Sequence, residues 1–267
     1  MKEQVRQWIC EYIENYGQRP DIVTKWGEPL VGFADASHPY ILNLKTIIDT
    51  THELPTDVLE DASVVIVYYV PFTRELAETN ETGTQYASAE WARAYEETNA
   101  MFKNLNAFLI KQLEMRGWHA GISPKSATFD QKRLKSDWSY RHFAYAAGLG
   151  SFGLNNMLLT KSGCCGRFNT LVTNLEVEPD QPMTDEYCLY KKNGSCAVCV
   201  KHCPTGALTT EGYDRHKCYE LLMKNARIHT EYGSSYVDES GKKANSVGSD
   251  VCGKCVTQSP CAFWELK

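Results

Sequence analysis

Eleven cysteines in a chain of 267 residues, eight of them between Cys188 and Cys261, limit what this sequence can become more than any other feature. Two runs stand out. One is Cys196-x-x-Cys199-x-x-x-Cys203-Pro204, with Cys188 upstream; the other is Cys252-x-x-Cys255 followed by Cys261, with Cys218 between the runs. In two-cluster ferredoxins, three closely spaced cysteines serve one cluster and a fourth, placed before proline, serves the other. By that logic Cys188, Cys196, Cys199 and Cys261 form one ligand set and Cys203, Cys218, Cys252 and Cys255 a second, for two 4Fe-4S clusters. Two departures follow. A regular run would put its leading cysteine where Asn193 stands, so the segment LYKKNGS must fold back to bring in Cys188, and Pro260 precedes Cys261 instead of following it, which makes Cys261 the weakest member. Two CxxC pairs alone would also suit a tetrathiolate zinc site. The cysteine before Pro204, the segment CPTGA and the total of eight favour iron–sulfur. Cys10 reads as a packing residue. The vicinal pair Cys164 and Cys165, in a glycine-flanked loop, reads as incidental, with a redox role as the other reading.

The rest of the composition supports a folded protein: 43% of residues are hydrophobic, with 18 glycines and 10 prolines, enough to bury a sizeable core. The longest apolar run, Val64 to Val70, is too short for a membrane span, and the start MKEQVRQW is too polar for a secretory signal. The expectation is a cytoplasmic protein with no membrane association. In that compartment thiols stay reduced and a cysteine-rich chain binds metal rather than forming disulfides. A net charge of -5 argues against a broad nucleic-acid footprint.

Hydrophobic spacing predicts an amphipathic helix over residues 2–16, a buried strand over 63–70 stopped by Pro71, a long helix from about Tyr86 to Arg116, and a helix from Trp138 to Ala147. Short strand-like pieces such as 170–177 follow. The fold class expected is α+β: an α/β cofactor-binding domain over 1–180 and a ferredoxin-like double-cluster module over 181–267, divided near the segment PDQP at 179–182.

Gly148-Leu149-Gly150-Ser151-Phe152-Gly153 matches the dinucleotide fingerprint GxGxxG, but that fingerprint needs a strand before it and a helix after it. Here RHFAYAA, a helical stretch, precedes it, so a nicotinamide site is not expected.

The longer segments RHFAYAAGLGSFGLNNMLLTKSG, GRFNTLVTNLEVEPD, CAVCVKHCPTGAL and YDRHKC, in this order over the second half of the chain, resemble the epoxyqueuosine reductases. The resemblance implies a nitroreductase-like α/β core holding base-off cobalamin beside two 4Fe-4S clusters, as in the related reductive dehalogenases. It makes Gly148, Leu149, Gly150, Ser151, Phe152 and Gly153 part of the corrin-binding wall, where missing side chains would let a planar ligand approach the backbone. Asp137, Tyr140 and Arg141, with His142, become candidate proton donors or substrate anchors because they precede that loop. The acid that the family carries at a fixed distance before the arginine-containing helix falls here on Leu134, with Asp130 and Asp137 out of register, so the proton donor is expected to differ. The family also continues past the second cysteine motif into a tRNA-binding helical-repeat region, whereas six residues follow Cys261 here; with the negative charge, this makes tRNA an unexpected substrate. The function implied is a cobalamin-dependent reductase of a small molecule, fed by a donor such as ferredoxin or flavodoxin. The alternatives are a low-potential electron carrier with no substrate or corrinoid of its own and a redox-sensing regulator. A homodimer is compatible with either.

Overall fold

A computed structural model describes residues 1–81, 84–236 and 247–264. Its centre is the apolar run expected as a strand: β2 (Val64–Pro71) has every residue buried, so both faces need cover. Along a strand, alternate side chains point to opposite faces. Ile66, Tyr68 and Val70 join one core cluster with α1 (Lys2–Gly17) and α6 (Ala89–Glu114). Val65, Val67 and Tyr69 join another with Trp138 and with Phe143 of α7 (Tyr140–Ala146). A run that could have belonged to a parallel sheet lies instead in an antiparallel one, ordered β1-β2-β6-β3. Here β1 is Leu30–Asp35, β3 is Ala120–Gly121 and β6 is Gly166–Thr173. The pairing of β2 with β6 brings the segment leading into the cysteine region against the middle of the core.

The long helix α6 starts where Ser88 accepts a hydrogen bond from the Trp91 amide at 3.1 Å, an N-cap of the usual kind. It buries Met101, Leu105, Leu109 and Leu113. Several polar groups inside the core are paired, which offsets the cost of burying them: Tyr68 Oη donates to Asn106 Oδ1 at 2.9 Å, Asn106 Nδ2 to the Thr170 carbonyl at 3.3 Å, and Trp138 Nε1 to Thr170 Oγ1 at 2.8 Å. Between β1 and β2 lie the short helices α2 (Pro39–Leu42), α3 (Leu44–Ile47) and α4 (Pro55–Val58), and α5 (Arg74–Thr79) precedes α6.

The glycine run is not a loop. Residues Gly150–Phe152 form β4, which pairs with β5, Leu158–Thr160. The cysteine-bearing part has little regular structure: α8 (Leu189–Asn193), α9 (Val198–Lys201), α10 (Arg215–Ile228) and α11 (Lys254–Thr257). It is held to the start of α6 by side chains. Asn80 Nδ2 donates to the Cys252 carbonyl at 2.8 Å, the buried Lys254 Nζ donates to the Asn80 carbonyl at 2.6 Å, and the Ala87 amide donates to Asn225 Oδ1 at 3.0 Å. The helix expected over 138–147 covers Tyr140–Ala146, and the strand-like stretch at 170–177 begins earlier, at Gly166, and ends at Thr173.

Candidate functional site

The displaced Cys188 returns to its partners through α8. Backbone bonds from Lys192 to Cys188 (2.8 Å) and from Gly194 to Tyr190 (2.8 Å) close the helix. Gly194 ends it in the left-handed region, φ 73°, where glycine carries no steric penalty. The chain then turns back so that Cys188, Cys196, Cys199 and Cys261 line one small pocket, walled also by Leu154 and Trp264. Burial pushes the Cys199 thiol up to about 11, and Cys261, Cys188 and Cys196 add to that rise. The Leu154 amide donates to Cys188 Sγ at 3.4 Å, and Ser259 Oγ lies 3.2 Å from Cys261 Sγ.

The other four thiols gather beside the first group. Burial pushes Cys252 up to about 11, with Cys218 and Cys203 contributing. Cys255 is raised further, by burial and then by Cys252, Cys218 and Cys203, with Cys199 of the first group also within reach. The Leu208 amide donates to Cys203 Sγ at 3.4 Å. Thiols that the spacing assigns to one set thus lie near one another.

These residues fit iron–sulfur clusters. Among the described residues no group of three or more His, Cys, Asp or Glu side chains is placed to hold a single metal ion; the first four thiols surround a space instead of converging on a point. Amides aimed at sulfur, as at Cys188 and Cys203, are the contacts that stabilise cluster ligands. Thiols held protonated by burial must release protons on binding iron, so loading couples to pH and to folding.

The glycine run is packed closely against its own chain. Gly148 has φ 69°, and a Cβ there would lie 2.2 Å from the Gln181 carbonyl oxygen; one at Gly150 would lie 2.1 Å from the Leu159 carbonyl oxygen, and one at Gly153 would lie 2.4 Å from Leu159 Cδ1. The space left by the missing side chains is filled by this chain itself. Leu149 packs with the β2–α7 cluster. Ser151 Oγ donates to Glu186 Oε1 at 3.1 Å and accepts from the Tyr187 amide at 3.1 Å, holding the approach to Cys188, and Phe152 packs on His142 with ring centroids 4.8 Å apart.

The candidate donors have different surroundings. Asp137 is buried and spends its oxygens on Thr51 Oγ1 at 2.7 Å and Arg133 Nη2 at 3.4 Å. Tyr140 Oη donates to the Ser126 carbonyl at 2.9 Å, and burial pushes its phenol up to about 12. Arg141 donates to the Asn156 carbonyl and contacts Met157 Sδ at 3.8 Å, within electrostatic reach of Tyr213, Tyr236 and Cys255. His142, 2.7 Å from Ser139 Oγ, is pulled down to about 4 by burial and by Arg141. Leu134 is buried with φ 53°, an uncommon conformation for a bulky residue. Its turn is closed by Asp130, whose Oδ1 accepts from the Lys132 and Arg133 amides at 2.8 and 2.9 Å and whose carboxyl the Arg133 guanidinium holds down to about 2.

Sequence reasoning missed Asn155. It is buried, and its Nδ2 donates to the Cys255 carbonyl at 3.4 Å and to Cys164 Sγ at 3.8 Å, so one amide touches the backbone of the second group and a thiol beside the first. Within GLNNMLLT nothing marks it, because both partners lie elsewhere in the sequence. Cys10 sits apart on α1.

No family model matches the sequence. Its sequence relatives are epoxyqueuosine reductases. That of Lactococcus garvieae is 31% identical over 200 residues, covering 73% of this chain and 51% of the relative. That of Bacillus anthracis is 30% identical over 180 residues, covering 66% and 42%. The chain spans about half the length of the curated relatives it matches. Among solved structures, the epoxyqueuosine reductase of Bacillus subtilis, with its catalytic loop swung out of the active site, aligns with a TM-score of 0.53 at 22% identity over 98% of this chain and 68% of that one. An epoxyqueuosine reductase carrying a modified tRNA stem loop aligns with a TM-score of 0.54 at 21% identity over 99% and 68%. At those identities the structural likeness speaks to the fold.

Proposed function

Taking the chain as a member of an epoxyqueuosine reductase-like family, we propose that it is a two-cluster iron–sulfur reductase that passes electrons from a donor such as ferredoxin or flavodoxin to a corrinoid. One 4Fe-4S cluster is assigned to Cys188, Cys196, Cys199 and Cys261, the other to Cys203, Cys218, Cys252 and Cys255, within a ferredoxin-like module over 181–267 attached to a cofactor domain over 1–180. The observation that carries this reading is the sorting of eight thiols, interleaved along the chain, into two adjacent groups of four. When bound, the clusters supply one-electron transfer and cobalamin a strongly reducing, nucleophilic cobalt.

The chain's own residues do the rest. Amides of Leu154 and Leu208 face the sulfurs of Cys188 and Cys203, and Leu154, Leu159 and Trp264 wall the first group. The residues assigned to the corrin are Tyr140, Arg141, Tyr213 and Tyr236, beside Cys255 of the second group, in place of the glycine run. Asp137 is an anchor for Arg133; Tyr140, which keeps its proton at neutral pH, is the donor we assign. An epoxyqueuosine reductase of the same fold carries a tRNA stem loop, so epoxyqueuosine in tRNA is the second reading of the substrate. Against it stands Leu134, an apolar side chain in a left-handed turn where the resemblance puts an acid.

Titrating the anaerobic, cluster-loaded protein with cobalamin tests the reading. The expected result is the spectral change of base displacement, weakened in Arg141→Ala. If intact clusters are present and neither binding nor spectral change occurs, the electron-carrier reading replaces it. Reduction of epoxyqueuosine in tRNA by the same preparation would overturn the small-molecule assignment.

A further inference from the structure

Cys164 belongs to neither group of four and has no part in the function proposed above, yet the fold positions it closely. The turn after β5 is closed by reciprocal backbone bonds between Thr160 and Gly163, at 3.1 and 2.9 Å. Gly163 has φ 86°, and a Cβ on it would lie 2.1 Å from the Ala262 carbonyl oxygen, so the turn presses directly on the chain around Cys261. The next two amides then bond to that chain: Cys164 to the Cys261 carbonyl at 2.9 Å and Cys165 to the Ala262 carbonyl at 3.2 Å. This register sets Cys164 Sγ 3.9 Å from Cys261 Sγ, within reach of an S–H···S hydrogen bond and far beyond the ~2.05 Å of a disulfide.

The direction of that bond is set by a third group. Asn155 Nδ2 donates to Cys164 Sγ at 3.8 Å, using the sulfur as acceptor and leaving its proton free for Cys261. Cys164 is only 4% exposed and packs among apolar side chains. A thiol, which behaves as a small hydrophobe with a weak donor, is suited to such a place, where a hydroxyl would lose more on leaving water.

We propose that Cys164 is a positioning residue of the first cluster, donating a thiol hydrogen bond to the sulfur of Cys261 and thereby raising that cluster's reduction potential. The inference rests on the cluster assignment above. Hydrogen bonds to cluster sulfurs withdraw electron density and favour the reduced, more negative state, one of the levers by which proteins set these potentials.

The test is an anaerobic redox titration, followed by electron paramagnetic resonance, of wild type, Cys164→Ala, Cys164→Val and Cys165→Ala. Iron and sulfide are counted first; a wild type without about eight of each defeats the cluster assignment and the inference with it. With clusters intact, both Cys164 variants should keep their iron and move one cluster, and only one, to lower potential by about tenfold in the reduction equilibrium, about 59 mV for one electron. Cys164→Ser, which keeps a donor, should restore much of the wild-type potential, and Cys165→Ala should leave both potentials in place. Valine fills the thiol's volume, so a packing defect confined to Cys164→Ala cannot imitate the result. Unchanged potentials in Cys164→Val, or loss of half the iron from it, would overturn the proposal.

Discussion

Strand β2 buries all eight of its residues between α1 and α6 on one face and α7 on the other. The stretch from Cys188 to Cys203, by contrast, contains two helices of five and four residues, too short to persist in water unaided. Side chains such as Ile66 and Leu105 are removed from solvent completely and contribute roughly 1.5–3 kcal/mol each, whereas Cys196, Cys203, Cys218, Cys252, Cys255 and Cys261 stay only partly buried. The first region carries its stabilising interactions in the chain; in the second, on the function proposed above, cross-links come from metal bound by the thiols. A protein built this way should separate into a part that folds on its own residues and a part that folds on its clusters.

The strongest way to break that contrast is to remove the metal. Anaerobic chelation should abolish amide-exchange protection over 188–261 while leaving β2 and β6 protected, because metal binding in such modules is folding free energy. Equal loss in both regions would refute it. A smaller effect comes from the opposite side: Leu105→Ala, in the α6–β2 core, should cost about 2–5 kcal/mol of global stability and leave iron per folded chain unchanged, as denaturation and metal analysis would show.

Acid should act on the sheet side through His142. Its folded-state value of about 4 lies below the ordinary value near 6.5, so the unfolded chain takes up a proton first. Stability is then full above about pH 6.5 and is lost as pH falls toward about 4, by at most about 3 kcal/mol. His52, also held low by burial, acts in the same direction. His142→Phe should flatten the slope in urea titrations over that interval; an unchanged slope would contradict the assignment. The smallest effect sharpens the boundary between the regions. Asn155→Ala removes the amide that reaches both the Cys255 carbonyl and Cys164 and should cost about 1 kcal/mol, seen as faster iron loss with β2 protection unchanged.

Much of this was legible before any coordinates. Val64 to Val70 announces a strand because its residues are β-branched and aromatic and stop at a proline, and α6 announces itself through an apolar stripe ended by Gly117. The sheet order was not legible, since the pairing of β2 with β1 and β6 depends on partners far apart in the chain. The packing of the glycine run was hidden for a related reason. GLGSFG suggests open space, but Gln181, over thirty residues along the chain, and Leu159, on the paired strand β5, occupy the space beside the glycines. Asn155 was invisible as a functional residue, and the contact of Cys164 with Cys261 could not be read, because the Cys255 carbonyl and the Cys261 sulfur lie about a hundred residues away. The cysteines invited an iron–sulfur reading because two of their runs follow a local spacing that such clusters favour.

The central claim is that the two thiol groups each hold a 4Fe-4S cluster, and counting metal tests it most directly. Anaerobically prepared protein should carry about eight iron and eight acid-labile sulfide per chain. Cys199→Ser and Cys255→Ser should each lose about half, from different clusters distinguishable by their paramagnetic signals, while Cys10→Ser keeps the full count. Stoichiometric zinc with little sulfide in the wild type would contradict the account.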